Sequence, residues 1–279
     1  MLIKSFSKIN LTLSVNQKLK KERLHNIQSY FCLIDLFDQI EINKLKGQKD
    51  VIRFKGKFAK LINKKDNTII KVLKILRNEK IISNFYSILV KKKIPVFSGM
   101  GGGTGNAVSL AKLLTNDNIS EKLLKIFNKK IGSDFKLFFY KQGFLRNLNT
   151  VSKFRRKYKL HFLLVYPNIK SSTKLVYSKV KKNSSKDKYN FTKINEKSKF
   201  IKFLVDKNND LQTIVENQNP VIKRLISEIK QKKGCHFSRM SGSGSVCYGV
   251  FKSERSAKSA LKMIKIKYPK FWLSVAKTI

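Results

Sequence analysis

The run Pro95-Val96-Phe97-Ser98-Gly99-Met100-Gly101-Gly102-Gly103-Thr104-Gly105-Asn106-Ala107 decides how this chain is read, since five of the chain's 13 glycines fall within it. Where no Cβ intervenes, backbone N–H groups can converge on one point, and a helix that follows adds the positive end of its dipole. The apolar spacing of 106–114 predicts such a helix. The run therefore reads as an anion cradle suited to phosphates. A flexible linker of similar composition would lack the flanking Pro95-Val96-Phe97 and the apolar helix. No lysine follows the glycines, which excludes a Walker loop. Thr104 or Asn106 stands where the last glycine of a dinucleotide motif would fall, which argues against a Rossmann enzyme. A second run, Ser241-Gly242-Ser243-Gly244-Ser245, holds two more glycines.

Outward from the glycines, alternation over 7–13 predicts a strand with Ile9, Leu11 and Leu13 on one face and Lys8, Asn10 and Thr12 on the other. Further strands are predicted at 27–34, 38–42, 159–165 and 245–251. Helical spacing covers 68–77, 81–90, 120–128, 221–232 and 256–265. The stretch 179–199 is lysine-rich and polar, and reads as an exposed insertion. Strands and helices mix without strict alternation, so the expected class is α+β with layered sheets.

The chain has 279 residues, 61 Lys+Arg and 17 Asp+Glu, for a formal net charge of +44. With 42% hydrophobic and 11% aromatic residues it is not a disordered basic tail. The charge raises the possibility of a nucleic-acid or anionic-membrane partner. Yet basic residues recur at 18–23, 53–65, 91–93, 153–159, 179–193 and 230–233, with no basic terminal arm, as a host's compositional habit would place them. Cys32, Cys235 and Cys247 are odd in number and lack Cys-x-x-Cys spacing. A disulfide framework is thereby unexpected, and a reduced cytoplasm is the default. Cys235 beside His236 lacks the further ligands of a zinc site. Residues 1–15 have no apolar core of a signal peptide, and the most apolar stretch, 162–165, is far short of the roughly 20 residues of a spanning helix. A soluble protein without a membrane partner is expected.

The glycine loop feeding a helix, a lysine on an N-terminal strand and the second glycine run together resemble the GHMP small-molecule kinases. Residues 95–107 look like that superfamily's phosphate-binding motif, and Met240-Ser241-Gly242-Ser243-Gly244 like its C-terminal glycine motif. Within the superfamily the sequence resembles the branch acting on 4-diphosphocytidyl-2-C-methyl-D-erythritol. It does so through Ser7-Lys8-Ile9-Asn10-Leu11, His25-Asn26-Ile27-Gln28-Ser29, Asp66-Asn67, Ile131-Gly132-Ser133-Asp134, Pro167 with Ser172-Thr173, and Asn209-Asp210-Leu211 followed by Pro220.

The resemblance implies a two-domain α+β GHMP kinase fold with the active site between the domains. Residues 1–152 would carry the phosphate loop and catalytic pair, and 153–279 the C-terminal domain. It further implies transfer of the ATP γ-phosphoryl to the substrate's 2-hydroxyl, with Mg²⁺ expected and its protein ligands unknown. Asp134 matches the general base and Lys8 the lysine that stabilises developing charge. Asn67 and the run Pro95 to Gly105 match the ATP side. On the acceptor side, His25 matches a contact to the cytosine edge, and Asn10, Phe31, Thr173 and Gly242 match residues lining the site. Tyr177 is placed to stack on the base, and Leu24 stands where a second aromatic is expected. On the residues alone, Asp134 reads as an ordinary turn aspartate and Lys8 as one of many solvated lysines, and only the motif match lifts the pair above those readings; Phe31 and Tyr177 read equally as core.

The sequence also departs from the family pattern. Phe97 and Ser98 replace glycines, Gly105 replaces a hydroxyl residue, Lys136 replaces a proline, and Arg23-Leu24-His25 stands for Gly-Tyr-His. Two other readings stay open from sequence: a GHMP kinase for homoserine, mevalonate or a sugar, and a basic RNA-binding protein on the same fold. The expected partner is a small molecule, with no obligate nucleic acid, and the chain is expected to be a monomer or homodimer.

Overall fold

A computed structural model of the chain describes residues 1–18, 25–154, 156–181, 184, 194 and 196–279. The first elements in order are β1 (Leu2–Asn10), β2 (Ser14–Lys18), β3 (His25–Leu45), β4 (Val51–Lys55), α1 (Thr68–Asn78), β5 (Phe85–Lys91), α2 (Gly102–Leu114) and α3 (Glu121–Lys130). Then come β6 (Gln142–Asn147), β7 (Thr150–Lys153), β8 (His161–Tyr166), α4 (Thr173–Ser178), α5 (Lys197–Val205) and α6 (Gln212–Gln218). The last are α7 (Pro220–Lys230), β9 (Cys235–Met240), β10 (Cys247–Phe251), α8 (Glu254–Lys267) and β11 (Trp272–Lys277). The class is α+β, as expected.

Two compact units emerge, and they interleave in sequence. One comprises residues 1–8, 36–96 and 101–139; the other comprises 9–35, 97–100 and 140–279. In the first, the C-terminal half of β3 pairs antiparallel with β5, Ile42 opposite Ile88, and β4 runs parallel to β5. Asn67 caps α1 by accepting from the Ile70 amide at 3.1 Å, and Ser120 caps α3 through the Leu123 amide. These side chains satisfy amides that a helix start leaves without partners. Ile69, Val72, Leu73 and Leu76 give α1 a single buried face, and the Phe127 and Phe135 rings stack at 4.6 Å in the same unit.

The second unit holds an antiparallel sheet in the order β11-β8-β10-β9. Ile222, Leu225 and Ile229 on α7 and Ala257, Ala260 and Ile264 on α8 recur at helical spacing and join one core with Leu163 and Val165 of β8. Residues 277–279 close this unit onto the middle of β3. The Lys277 amide donates to Asp35 Oδ1 at 2.8 Å, Thr278 bridges Ile34, and the Ile279 amide donates to the Leu33 carbonyl.

Several expectations need correction. The stretch 81–90 is not a helix: β5 occupies 85–91, with Tyr86, Ile88 and Val90 buried alternately. Its isoleucines fit both periods, and pairing with β3 and β4 selects the extended one. The strands expected at 27–34 and 38–42 are one strand of 21 residues. The strand expected at 7–13 is β1 at 2–10, and both its faces are buried from Ser7 to Asn10. The polar stretch 179–199 contains the start of α5, while most of it lies outside the described residues. The hairpin β6–β7 carried no turn glycine and was not predicted.

Ile88→Ala is expected to destabilise the protein by about 2–4 kcal/mol, as for other buried isoleucine truncations. Ile81→Ala, at a position outside β5 and 43% exposed, is expected to change stability by less than ~0.5 kcal/mol. Urea unfolding of the two variants distinguishes a strand at 85–91 from a helix over 81–90.

Candidate active site

In the first unit the glycine run ends in the helix it was expected to precede, with α2 beginning at Gly102 and Gly101 as its N-cap. Gly101 lies at φ 65° and has no side chain to cap the helix, so the start of α2 carries no side-chain cap. A Cβ at Gly101 would come within 2.9 Å of Phe138 Cζ and 3.3 Å of Lys8 Cγ and Cε. The Lys8 stem thus runs alongside the helix start. Its ammonium reaches Asp134 Oδ2 at 3.0 Å, with the lysine side chain 4% and the aspartate 32% exposed. A buried cation is retained at tolerable cost only when paired. Here the partner keeps one face open to solvent. Asp134 sits in a short 3₁₀ turn after Gly132, whose φ of 150° belongs to glycine. Thr68 at the start of α1 donates to the Gly103 carbonyl at 2.8 Å and ties the two helix starts together.

In the second unit, residues 97–100 meet the second glycine run. Ser241 Oγ donates to the Gly99 carbonyl at 3.1 Å and accepts from the Asn10 amide at 3.2 Å. The Val246 amide donates to the Ser98 carbonyl. At Gly99 any Cβ would run into the Ser241 carbonyl oxygen, and at Gly242 it would meet Asn10 Oδ1 at 3.0 Å. Asn10 Nδ2 donates to Ser29 Oγ at 2.8 Å, while the Tyr248 hydroxyl donates to the Asn10 carbonyl at 3.0 Å. Burial pushes the Tyr248 phenol far above its usual range, so it remains a donor. Thr173 shares a hydrogen bond with Ser243 at 2.9 Å, and Ser171 donates to the Ser243 carbonyl. One helical turn beyond Thr173 on α4, Tyr177 stacks on His25 with ring centroids 6.0 Å apart.

The structure therefore gathers Lys8, Asp134 and Gly101 to Gly105 in one unit, and Asn10, Gly99, Gly242 and Thr173 in the other, with His25 beside Tyr177. Some residues fall elsewhere. Phe31 is fully buried towards Gly143, Asn67 spends its side-chain oxygen on the α1 cap, and Leu24 lies outside the described residues. Phe97 holds φ 58° and is half exposed, while Ser98 and Met100 are buried. Burial pushes the Lys136 ammonium below the usual lysine range. Arg239 and Tyr248 were not anticipated. Arg239, also buried, donates to the Leu11 carbonyl at 2.7 Å, so both side chains hold the backbone that presents Asn10. No group of three or more His, Cys, Asp or Glu suited to a metal occurs among the described residues.

Comparison with known proteins gives a consistent picture. The GHMP kinases N terminal domain matches residues 67–136, and GHMP kinases C terminal matches 200–270. The 4-diphosphocytidyl-2-C-methyl-D-erythritol kinase of Pelagibacter ubique (strain HTCC1062) is 40% identical over 99% of this chain and 98% of its own length. The enzyme of the same name from Wolbachia pipientis wMel is 32% identical over 97% and 96%. Among solved structures, a 4-(cytidine 5'-diphospho)-2C-methyl-D-erythritol kinase superposes with TM-score 0.76 at 19% identity, covering 99% of both chains. A mevalonate kinase superposes with TM-score 0.68 at 16% identity over 99% and 98%, which speaks to the fold alone.

Gly105 occupies a position where the resemblance led to a hydroxyl residue, and the packing explains the glycine. A Cβ there would lie 2.7 Å from the Phe6 carbonyl oxygen and 2.9 Å from the Phe138 ring. Gly105→Ser is therefore expected to destabilise the fold by roughly 1–3 kcal/mol through overpacking. Thermal unfolding measures it, and Gly105→Ser combined with Phe138→Leu is expected to recover part of the loss.

Proposed function

The chain belongs to the 4-diphosphocytidyl-2-C-methyl-D-erythritol kinase family of the GHMP kinases, and on that premise we propose that it transfers the γ-phosphoryl of ATP to the 2-hydroxyl of 4-diphosphocytidyl-2-C-methyl-D-erythritol, a step of the non-mevalonate route to isoprenoid precursors. The observation that carries the proposal is the Lys8–Asp134 pair beside the uncapped start of α2. Phosphoryl transfer asks little covalent chemistry of a protein and depends on positioning and charge stabilisation. The amides of Gly102 to Thr104 would hold phosphate oxygens. Asp134, open to solvent on one face, would orient the acceptor hydroxyl and take its proton. Lys8 would stabilise the negative charge that develops between them.

The remaining loop residues, Pro95 to Met100, would flank the nucleotide, with Asn67 near its adenine side. His25 and Tyr177 would receive the cytosine, one through ring nitrogens and the other by stacking. Asn10, Thr173 and Gly242 would contact the rest of the acceptor, with Phe31 and Leu24 as supporting residues. Mg²⁺ would arrive with ATP and would supply charge neutralisation on its phosphates, with no protein ligand assigned to it. In the chain, the family's N-terminal domain would extend over 1–152 and its C-terminal domain over 153–279, a division that accommodates both matched regions. No described helix is long and apolar enough to cross a membrane. The enzyme would act in the cytoplasm as a monomer or homodimer, without a nucleic-acid partner.

In a phosphoryl-transfer assay with the cytidyl substrate, Asp134→Asn and Lys8→Ala are each expected to lower kcat by about 10²–10⁴-fold, the range for removing a general base or a charge stabiliser. Mevalonate and homoserine are expected not to be turned over. A wild-type chain inactive on the cytidyl substrate, or two variants at full rate, would sink the proposal.

A further inference from the structure

The first unit contains a buried polar cluster that takes no part in the chemistry described above. Asp38 on β3 is fully buried, and Lys92 and Asn106 are each 3% exposed. Asp38 Oδ2 pairs with the Lys92 ammonium and accepts from Asn106 Nδ2 at 3.1 Å. Asp38 Oδ1 accepts from the Lys93 amide at 2.7 Å and the Ile94 amide at 3.0 Å. Lys92 also donates to Asn106 Oδ1 at 3.0 Å, and Asn106 Nδ2 reaches Ser5 Oγ at 3.0 Å. Four donors thus converge on one carboxylate, which has about four lone-pair sites to offer.

The placement of those donors along the chain gives the cluster its meaning. Lys92, Lys93 and Ile94 form the stem that leads into the glycine run, and Asn106 lies on the first turns of the helix that leads out of it. Both stems are fastened to the same buried oxygens. The helix start is also packed against the incoming stem, because a Cβ at Gly102 would lie 2.9 Å from Ile94 Cγ2 and 3.5 Å from Lys92 Nζ. Glycine-rich backbone has little stiffness of its own, and amides that must converge on phosphate need fixed ends.

We propose that Asp38 is the positioning residue of the phosphate loop, setting the separation and orientation of its two stems through Lys92, the 93–94 backbone and Asn106 without touching the nucleotide. The inference rests on the functional reading above, since it takes the loop's ligand to be an adenine nucleotide. Asp38→Asn keeps the shape but brings an NH₂ group against donors, so at least one of the four ties must break. The loop then loosens, and nucleotide affinity falls while the acceptor side is left alone.

The test is calorimetric titration of ADP into the full chain, with steady-state kinetics for both substrates. Asp38→Asn is expected to raise the ADP Kd about tenfold and to raise the KM for ATP, with the KM for the cytidyl substrate within twofold of wild type. Asn106→Ala, which keeps the Asp38–Lys92 pair and releases only the helix-side stem, is expected to raise the ADP Kd three- to tenfold, and it decides the matter if Asp38→Asn does not fold. Ile88→Ala serves as a control for instability: assayed well below its melting temperature, it is expected to bind ADP as wild type does. Folded Asp38→Asn and Asn106→Ala with ADP affinity within twofold of wild type would overturn the inference and leave the functional reading standing. An Ile88→Ala variant that weakens ADP binding as much as Asp38→Asn overturns it too, by reducing the effect to general stability. A wild-type chain that binds no adenine nucleotide overturns the functional reading, and this inference with it.

Discussion

Everything near the glycine run depends on close approach of backbone to its surroundings. At Gly99 the neighbour is the Ser241 carbonyl, at Gly101 the Lys8 stem and the Phe138 ring, and at Gly105 the Phe6 carbonyl. A single Cβ at any of these sites would force those neighbours to shift. The positive φ at Gly99 and Gly101 adds a second reason for glycine, since L side chains rarely adopt that region. Phe97, also at positive φ but half exposed, shows that the constraint is local. It lies in the contacts as much as in the dihedrals.

The glycine run and its helix were legible in sequence because both are local signals: composition over a few residues, then apolar spacing. The cores of α7 and α8 were legible for the same reason. Residues 81–90 were misread because alternating and helical apolar patterns overlap in a short isoleucine-rich stretch, and only the pairing with β3 and β4 separates them. Lys8 and Asp134, the pair proposed to be catalytic, could be named only through family likeness, since nothing in the neighbourhood of Lys8 distinguishes it from the other lysines. Asp38 gave no signal at all. Its donors lie 54 to 68 positions away, and only the folded chain brings them together.

The net charge of +44 takes on a different meaning beside the burial pattern. Among the described residues, the buried cations are Lys8, Lys92, Lys136 and Arg239. Lys8 and Lys92 face carboxylates, and Arg239 faces backbone carbonyls. The other described lysine and arginine side chains are at least partly exposed, and such surface charge raises solubility and self-repulsion and attracts anions without selecting among them. Selectivity has to come from the few placed groups.

The return of residues 277–279 to the middle of β3 has a consequence for biosynthesis. The strand they complete is made long before them, and its backbone at 33–35 must wait while the 242 positions that separate Asp35 from Lys277 are translated. Contacts so distant in sequence form slowly, because a long loop must close before they contribute. During that interval β3 presents open hydrogen-bonding groups among apolar neighbours, the kind of edge that invites pairing with another nascent chain. The positive charge of the emerging polypeptide would then act as protection, keeping such chains apart until their own residues 277–279 arrive.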